Sequence, residues 1–165
     1  MRHRVCTLIL WLGSGLLVQP TLHATDVSFC PMPGTRFQSS VDSLLERRWE
    51  HVVRQSLDIS CGSASLATIL QYHFGNQVTE TALIKEILEQ VKRDEVRKKG
   101  GFSLLDLKRV ATALGYDVRG YKLTVDQLRR RGGPAVVPIT IRGFKHFVVF
   151  RGMVGDRVIL ADPAF

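Results

Sequence analysis

QSLDISCGSASLATIL, Gln55 to Leu70, sets a single thiol, Cys61, where a polar loop gives way to an apolar run. From Ser60 onward Ala64, Ala67, Leu70 and Phe74 recur at intervals of three and four, Leu66 and Ile69 widen the face, and Gly75–Asn76 ends the pattern. This spacing predicts a helix buried nearly all round, with Cys61 at its entrance. A helix N-terminus carries unpaired N–H groups and the positive end of the dipole, which favour a thiolate. Gly62, with no Cβ, would let a substrate backbone come close. A free cysteine is also among the most buried residue types, so position alone leaves two readings open: nucleophile or small core residue.

Working outward, a second helix is expected from Thr79, with Leu83, Ile84, Ile87, Leu88 and Val91 as its stripe. Ser103 with Asp106 forms a capping box for a third, Leu104 to Leu114, closed by Gly115, and Thr124 with Gln127 opens a short fourth. The run VKRDEVRKKG, Val91 to Gly100, reads as a solvated helix end and loop. After Gly132–Gly133 the composition turns β-branched and aromatic: AVVPITI, then HFVVFRG, then DRVILAD, three strands. Gly152–Met153–Val154–Gly155 reads as the hairpin connection between the last two. On the middle strand His146, Val148 and Phe150 share one face, and Phe147 and Val149 the other. Helices followed by an antiparallel sheet make the fold class α+β.

A chain of 165 residues has room for one hydrophobic core. Its 45% hydrophobic and 23% charged residues exclude a disordered chain. Arg2 and Arg4 precede an uncharged apolar run from Val5 to Val18, followed by Pro20 and Ala24, the layout of a signal peptide over residues 1–24. The run falls short of the roughly 20 apolar residues of a spanning helix, so stable membrane insertion after signal cleavage is not expected. Residues 25–52 read as a leader segment, with a short helix within Val41 to Trp49, and 53–165 as the domain proper. Without residues 1–24 the formal charge falls from +8 to +6. The basic residues are interleaved with acids, and Arg129–Arg131 sit in a last helical turn where cations suit the dipole, so a nucleic-acid partner is not implied. Export would leave Cys30 and Cys61 where disulfides are permitted, and a bridge between them would remove the thiol from chemistry.

Thiol catalysis also needs an imidazole to exchange protons with the sulfur and the leaving amine, and a group that orients the imidazole. Of five histidines, His3 and His23 would leave with the signal, His51 lies in the polar leader, and His73 ends the thiol's own helix. His146 begins an apolar strand, where a merely structural imidazole gains little. Asp162, in ADPAF, reads as a turn residue by itself and as an orienting carboxylate beside His146. Gln55 supplies an amide N–H that, with the backbone N–H of Cys61, would build a two-donor oxyanion hole.

The order Gln55, Cys61, His146, Asp162, with the stretches QSLDISCGSASLATIL, GGFSLLDLKRVATALGY, KHFVVFRG and VILADPA, resembles the C39 peptidases, papain-like enzymes known as leader-peptide-cleaving domains of bacteriocin export transporters. The resemblance runs from about Val53 to the end. It implies a papain-like fold with Cys61 as nucleophile, His146 as general base, Asp162 as its orienter and Gln55 in the oxyanion hole. It also implies a peptide or protein substrate cut after a Gly-Gly pair. Beyond residues 1–24 no Cys/His pair has the spacing of a zinc site, so no metal or cofactor is expected. Ser60 and Ser63–Ala64 stand where the family often shows an acidic residue and Pro-Ala. The chain is similar to the stand-alone periplasmic C39-like peptidases that accompany functional-amyloid (Fap) secretion systems, which implies a periplasmic location and secretion-system partners. The chain ends three residues after Asp162, where the resemblance implies further strands. Two rival functions use the same residues: a non-cleaving binding module for an export substrate, and a Cys–His acyltransferase.

Overall fold

The computed structural model describes residues 25–32 and 35–165, with side chains from residue 41 onward. The signal-peptide expectation for residues 1–24 and the side chain of Cys30 lie outside the described residues. The chain divides into two units after Ser43. In the first, β1 (Thr25–Met32) and β2 (Thr35–Val41) pair antiparallel, with Thr25 opposite Val41 and Phe29 opposite Phe37. The sequence reading expected no strands in this leader. Val27 and Phe29 do alternate with polar neighbours, a two-residue period too brief to stand out among the prolines.

The second unit runs through α1 (Leu44–Arg48), α2 (Cys61–Tyr72), α3 (Glu80–Gln90), α4 (Arg93–Lys99), α5 (Leu104–Ala113), α6 (Val125–Arg131), β3 (Ala135–Ile141), β4 (Phe144–Val154) and β5 (Arg157–Ala161). Helices therefore precede an antiparallel sheet of order β3-β4-β5, the expected α+β arrangement. α2 is the central element. Leu66, Ala67 and Leu70 join Leu83, Ile87, Val96, Phe102, Leu107, Val110 and Ala111 in the main core, while Ile69 packs on Val52, Val149 and Ala161. Helices on one side and the sheet on the other explain an apolar pattern that covers almost the whole helix circumference. Its buried hydroxyls are all engaged: Ser63 Oγ donates to Ser60 O at 2.9 Å, Thr68 Oγ1 to Ala64 O at 2.8 Å, and Ser65 Oγ to Phe147 O of β4 at 3.1 Å. Leu70 is 2% exposed at the heart of this core. Leu70→Ala is expected to cost about 2–5 kcal/mol, read as a lowered urea midpoint with an unchanged slope.

Ser103 and Thr124 cap α5 and α6 through the capping boxes that their spacing predicts, and Thr79, where the second helix was expected to begin, caps α3 by accepting from Ala82 N. The run at 93–99 departs from its reading as a helix end and loop. It forms α4, because Asp94 and Glu95 open the turn, Arg97, Lys98 and Lys99 close it, Gly100 ends it at φ 73°, and Val96 anchors it in the core. The β3–β4 connection is Arg142–Gly143, with φ of 50° and 86°, the mirror-image turn that suits strand twist. β4 runs on through Gly152 and Met153, so the β4–β5 connection is only Gly155–Asp156. The register shifts between Phe150 and Gly152, leaving Arg151 bulged with its guanidinium donating to His51 O and Glu50 O. That irregularity is what made Gly152 resemble a turn. Pro138 is accommodated because β3 is an edge strand. Among the described residues no helix is long and apolar enough to cross a membrane.

Candidate active site

Cys61 is the first residue of α2, a free thiol 8% exposed. The preceding Ser60 makes no side-chain cap to α2, because its hydroxyl is turned back to Leu57, donating to Leu57 O at 2.8 Å and accepting from Leu57 N at 3.1 Å. The N–H groups of the first turn are thus left uncapped beside the thiol, unlike those of α3, α5 and α6. Gly62 has a different reason from the one expected. A Cβ there would stand 3.2 Å from Leu107 Cδ1 and 3.3 Å from Phe147 Cδ2, so the missing side chain lets α2 approach α5 and β4 rather than a substrate.

Phe147 and the Ser65–Phe147 hydrogen bond hold β4 against the first turns of α2, and His146 is the next residue along that strand. Its Nε2 lies 2.7 Å from Asp162 Oδ1, with the two side chains only 12% and 21% exposed. The sheet register explains the meeting. Val149 pairs with Ala161, so Asp162 follows opposite Val148, and His146 on the same face is a diagonal neighbour within side-chain reach. Asp162 Oδ1 also accepts from Ala164 N at 2.8 Å, so the carboxylate closes its own turn and holds the imidazole at once. The ring of Phe165 meets His146 edge-on at 6.3 Å. The other described histidines have aromatic neighbours elsewhere: His51 packs on Tyr72 and His73 on Phe74.

Gln55 sits on a segment gripped from three directions. Val53 N donates to Thr68 Oγ1 of α2 at 3.0 Å, Gln55 N to Pro163 O at 2.9 Å, and Ser56 N to both carboxylate oxygens of Glu80 at 3.1 Å. The Gln55 side-chain amide donates to Leu57 O at 3.1 Å, and its Oε1 is buried with no hydrogen-bond partner among the described residues. An orphaned acceptor of this kind costs about 1–3 kcal/mol, unusual for a residue retained only for packing. Of the four residues singled out by sequence, His146 and Asp162 are in direct contact, and Gln55 is tied by its backbone to Pro163. Among the described residues no hydrogen bond joins Cys61 to His146. Sequence reasoning missed Thr68 and Glu80, whose grip on residues 53–56 depends on partners far away in the chain.

A family model described as the peptidase C39 family matches residues 49–165. The chain is 42% identical over 150 residues to a Pseudomonas aeruginosa protein named "Probable functional amyloid protease FapD", covering 90% of this chain and 66% of that protein. It is 39% identical over 163 residues to the protein of the same name from Pseudomonas fluorescens, covering 98% and 69%. The chain thus spans about two thirds of the length of these relatives. Its fold is similar to the crystal structure of the peptidase domain of Streptococcus ComA, described as a bifunctional ABC transporter in a quorum-sensing pathway, at a TM-score of 0.56 and 24% identity over 68% of this chain and 78% of that one.

Proposed function

Because the chain belongs to the C39 family of cysteine peptidases, we propose that it is an endopeptidase in which Cys61, His146, Asp162 and Gln55 form one catalytic set. The observation that carries this reading is the 2.7 Å contact of His146 Nε2 with Asp162 Oδ1, on a strand packed against the turn that bears Cys61. Cys61 Sγ attacks the scissile carbonyl and its proton passes to His146. The negative charge that develops on the carbonyl oxygen is met by the Cys61 N–H and the Gln55 amide, which swings from Leu57 O as substrate enters. Catalytic hydrogen bonds absent from an empty site commonly form only with substrate bound. Collapse of the tetrahedral adduct breaks the C–N bond, and His146 delivers its proton to the amine. Water, deprotonated by His146, then attacks the thioester, releasing a carboxylic acid and restoring the thiol. Asp162 keeps the imidazole in one tautomer and orientation throughout.

The finer reading is an exported, periplasmic enzyme, carried there by residues 1–24 as a signal peptide, with residues 25–52 as leader and 53–165 as the peptidase domain. It cleaves after Gly-Gly in a secreted protein or leader, in functional-amyloid biogenesis with secretion-system partners. Support comes from the names of the Pseudomonas relatives and from the basic-then-apolar start of the chain. The acyltransferase and the non-cleaving binder are separated from it by product: a new amide, or no thiol-dependent product.

The direct test is alkylation of Cys61 by iodoacetamide at mildly acidic pH in the parent and in His146→Ala. Rapid labelling confined to Cys61, slowed at least tenfold by the substitution, is the expected result. Equal slow labelling of both proteins would remove the paired thiol from consideration.

A further inference from the structure

Glu80 is a buried carboxylate without an obvious reason to be one. It opens α3 and is 6% exposed, and among the described residues it has no cationic partner. A buried ionised group is expensive unless compensated, and neither usual compensation accounts for it. The helix is already capped by Thr79, which accepts from Ala82 N, and a capping-box acid would stand at position 82, not 80. The dipole of α3 favours an acid in the first turn, but an exposed one would gain the same benefit. What Glu80 does instead is reach across the fold, placing both its oxygens 3.1 Å from the backbone N–H of Ser56, the residue after Gln55.

We propose that Glu80 is a positioning residue for the oxyanion hole: its carboxylate clamps Ser56 and thereby sets where the Gln55 amide can point. The proposal rests on the reading of Gln55 as an oxyanion donor. Val53 and Gln55 are held by neutral acceptors, Thr68 Oγ1 and Pro163 O, whereas Ser56 is held by a charged one, and charge-assisted bonds are the stronger. Gln55 lies between these grips. In the empty site its side chain makes one bond, to Leu57 O, and once that bond is released the reach of the amide is set by the backbone under it. Errors in such placement near an ångström cost about a hundredfold in well-oriented sites.

The test uses two probes of Cys61 that differ in their need for the hole. A Gly-Gly peptide aldehyde forms a hemithioacetal: the S–C bond forms, the carbonyl π pair moves to oxygen, and the thiol proton ends there, so the oxygen occupies the hole. Iodoacetamide forms its C–S bond as iodide leaves, with no oxyanion. In the full chain, Gln55→Ala is expected to weaken aldehyde binding about a hundredfold and Glu80→Ala about tenfold, with alkylation of Cys61 within twofold of the parent in both. On the Gln55→Ala background Glu80→Ala should add nothing. Glu80→Gln, which retains the reach and an acceptor oxygen but not the charge, should recover part of the affinity. Glu80→Asp, which retains the charge but falls one methylene short, should not, and it keeps the test open if the alanine variant does not fold. Equal losses with both probes, additivity with Gln55→Ala, or unchanged aldehyde affinity in Glu80→Ala and Glu80→Asp would overturn the role of Glu80 alone. Unchanged affinity in Gln55→Ala would instead overturn the reading of Gln55, and the positioning role with it.

Discussion

Cys61→Ala should abolish peptide-bond cleavage, a fall in kcat on the order of 10⁶-fold of the kind seen when a covalent nucleophile is deleted. The residue is buried at the start of α2, and alanine occupies less space than cysteine. The lost sulfur packing is worth about 1 kcal/mol, so the melting temperature should drop by no more than about 4 °C. Mass spectrometry of a Gly-Gly-containing peptide gives the rate, and calorimetry gives the stability. Cleavage within tenfold of the parent would show that the sulfur is not the attacking atom.

Gln55→Ala pulls activity and stability in opposite directions. Loss of one oxyanion donor lowers kcat about 10²–10³-fold. The same substitution removes the bond from the side-chain amide to Leu57 O, worth about 1 kcal/mol, and relieves the orphaned Oε1, which costs about 1–3 kcal/mol. The melting temperature should therefore stay level or rise. A slower enzyme that is also less stable would mean that Gln55 serves the fold, and an unchanged kcat would mean that it does not serve the reaction.

Legibility in the sequence followed the range of the interactions. α2, α3, α5 and α6 were visible because their stripes and caps lie within a few residues of each other, as Ser103 with Asp106 shows. The strand faces of β4 were visible from the two-residue alternation of side chains, whereas the diagonal placing of Asp162 beside His146 needed the observed register of β4 and β5. The bulge at Arg151 was not, since an unpaired residue is defined by the partner strand and not by its own. α4 was hidden because its charges look solvated until Val96 is seen to be buried. Gly62 and Glu80 were misread or passed over for the same reason: a glycine's crowding and a carboxylate's burial depend on Leu107, Phe147 and Ser56, which no local spacing reveals.

The hydrogen bond from Gln55 N to Pro163 O joins the segment before the thiol to the tail that carries Asp162. A ribosome finishes Cys61 and its helix long before it makes that tail. The nascent molecule therefore cannot fix the segment before Cys61 against the Asp162 turn until β3, β4 and β5 have all been made.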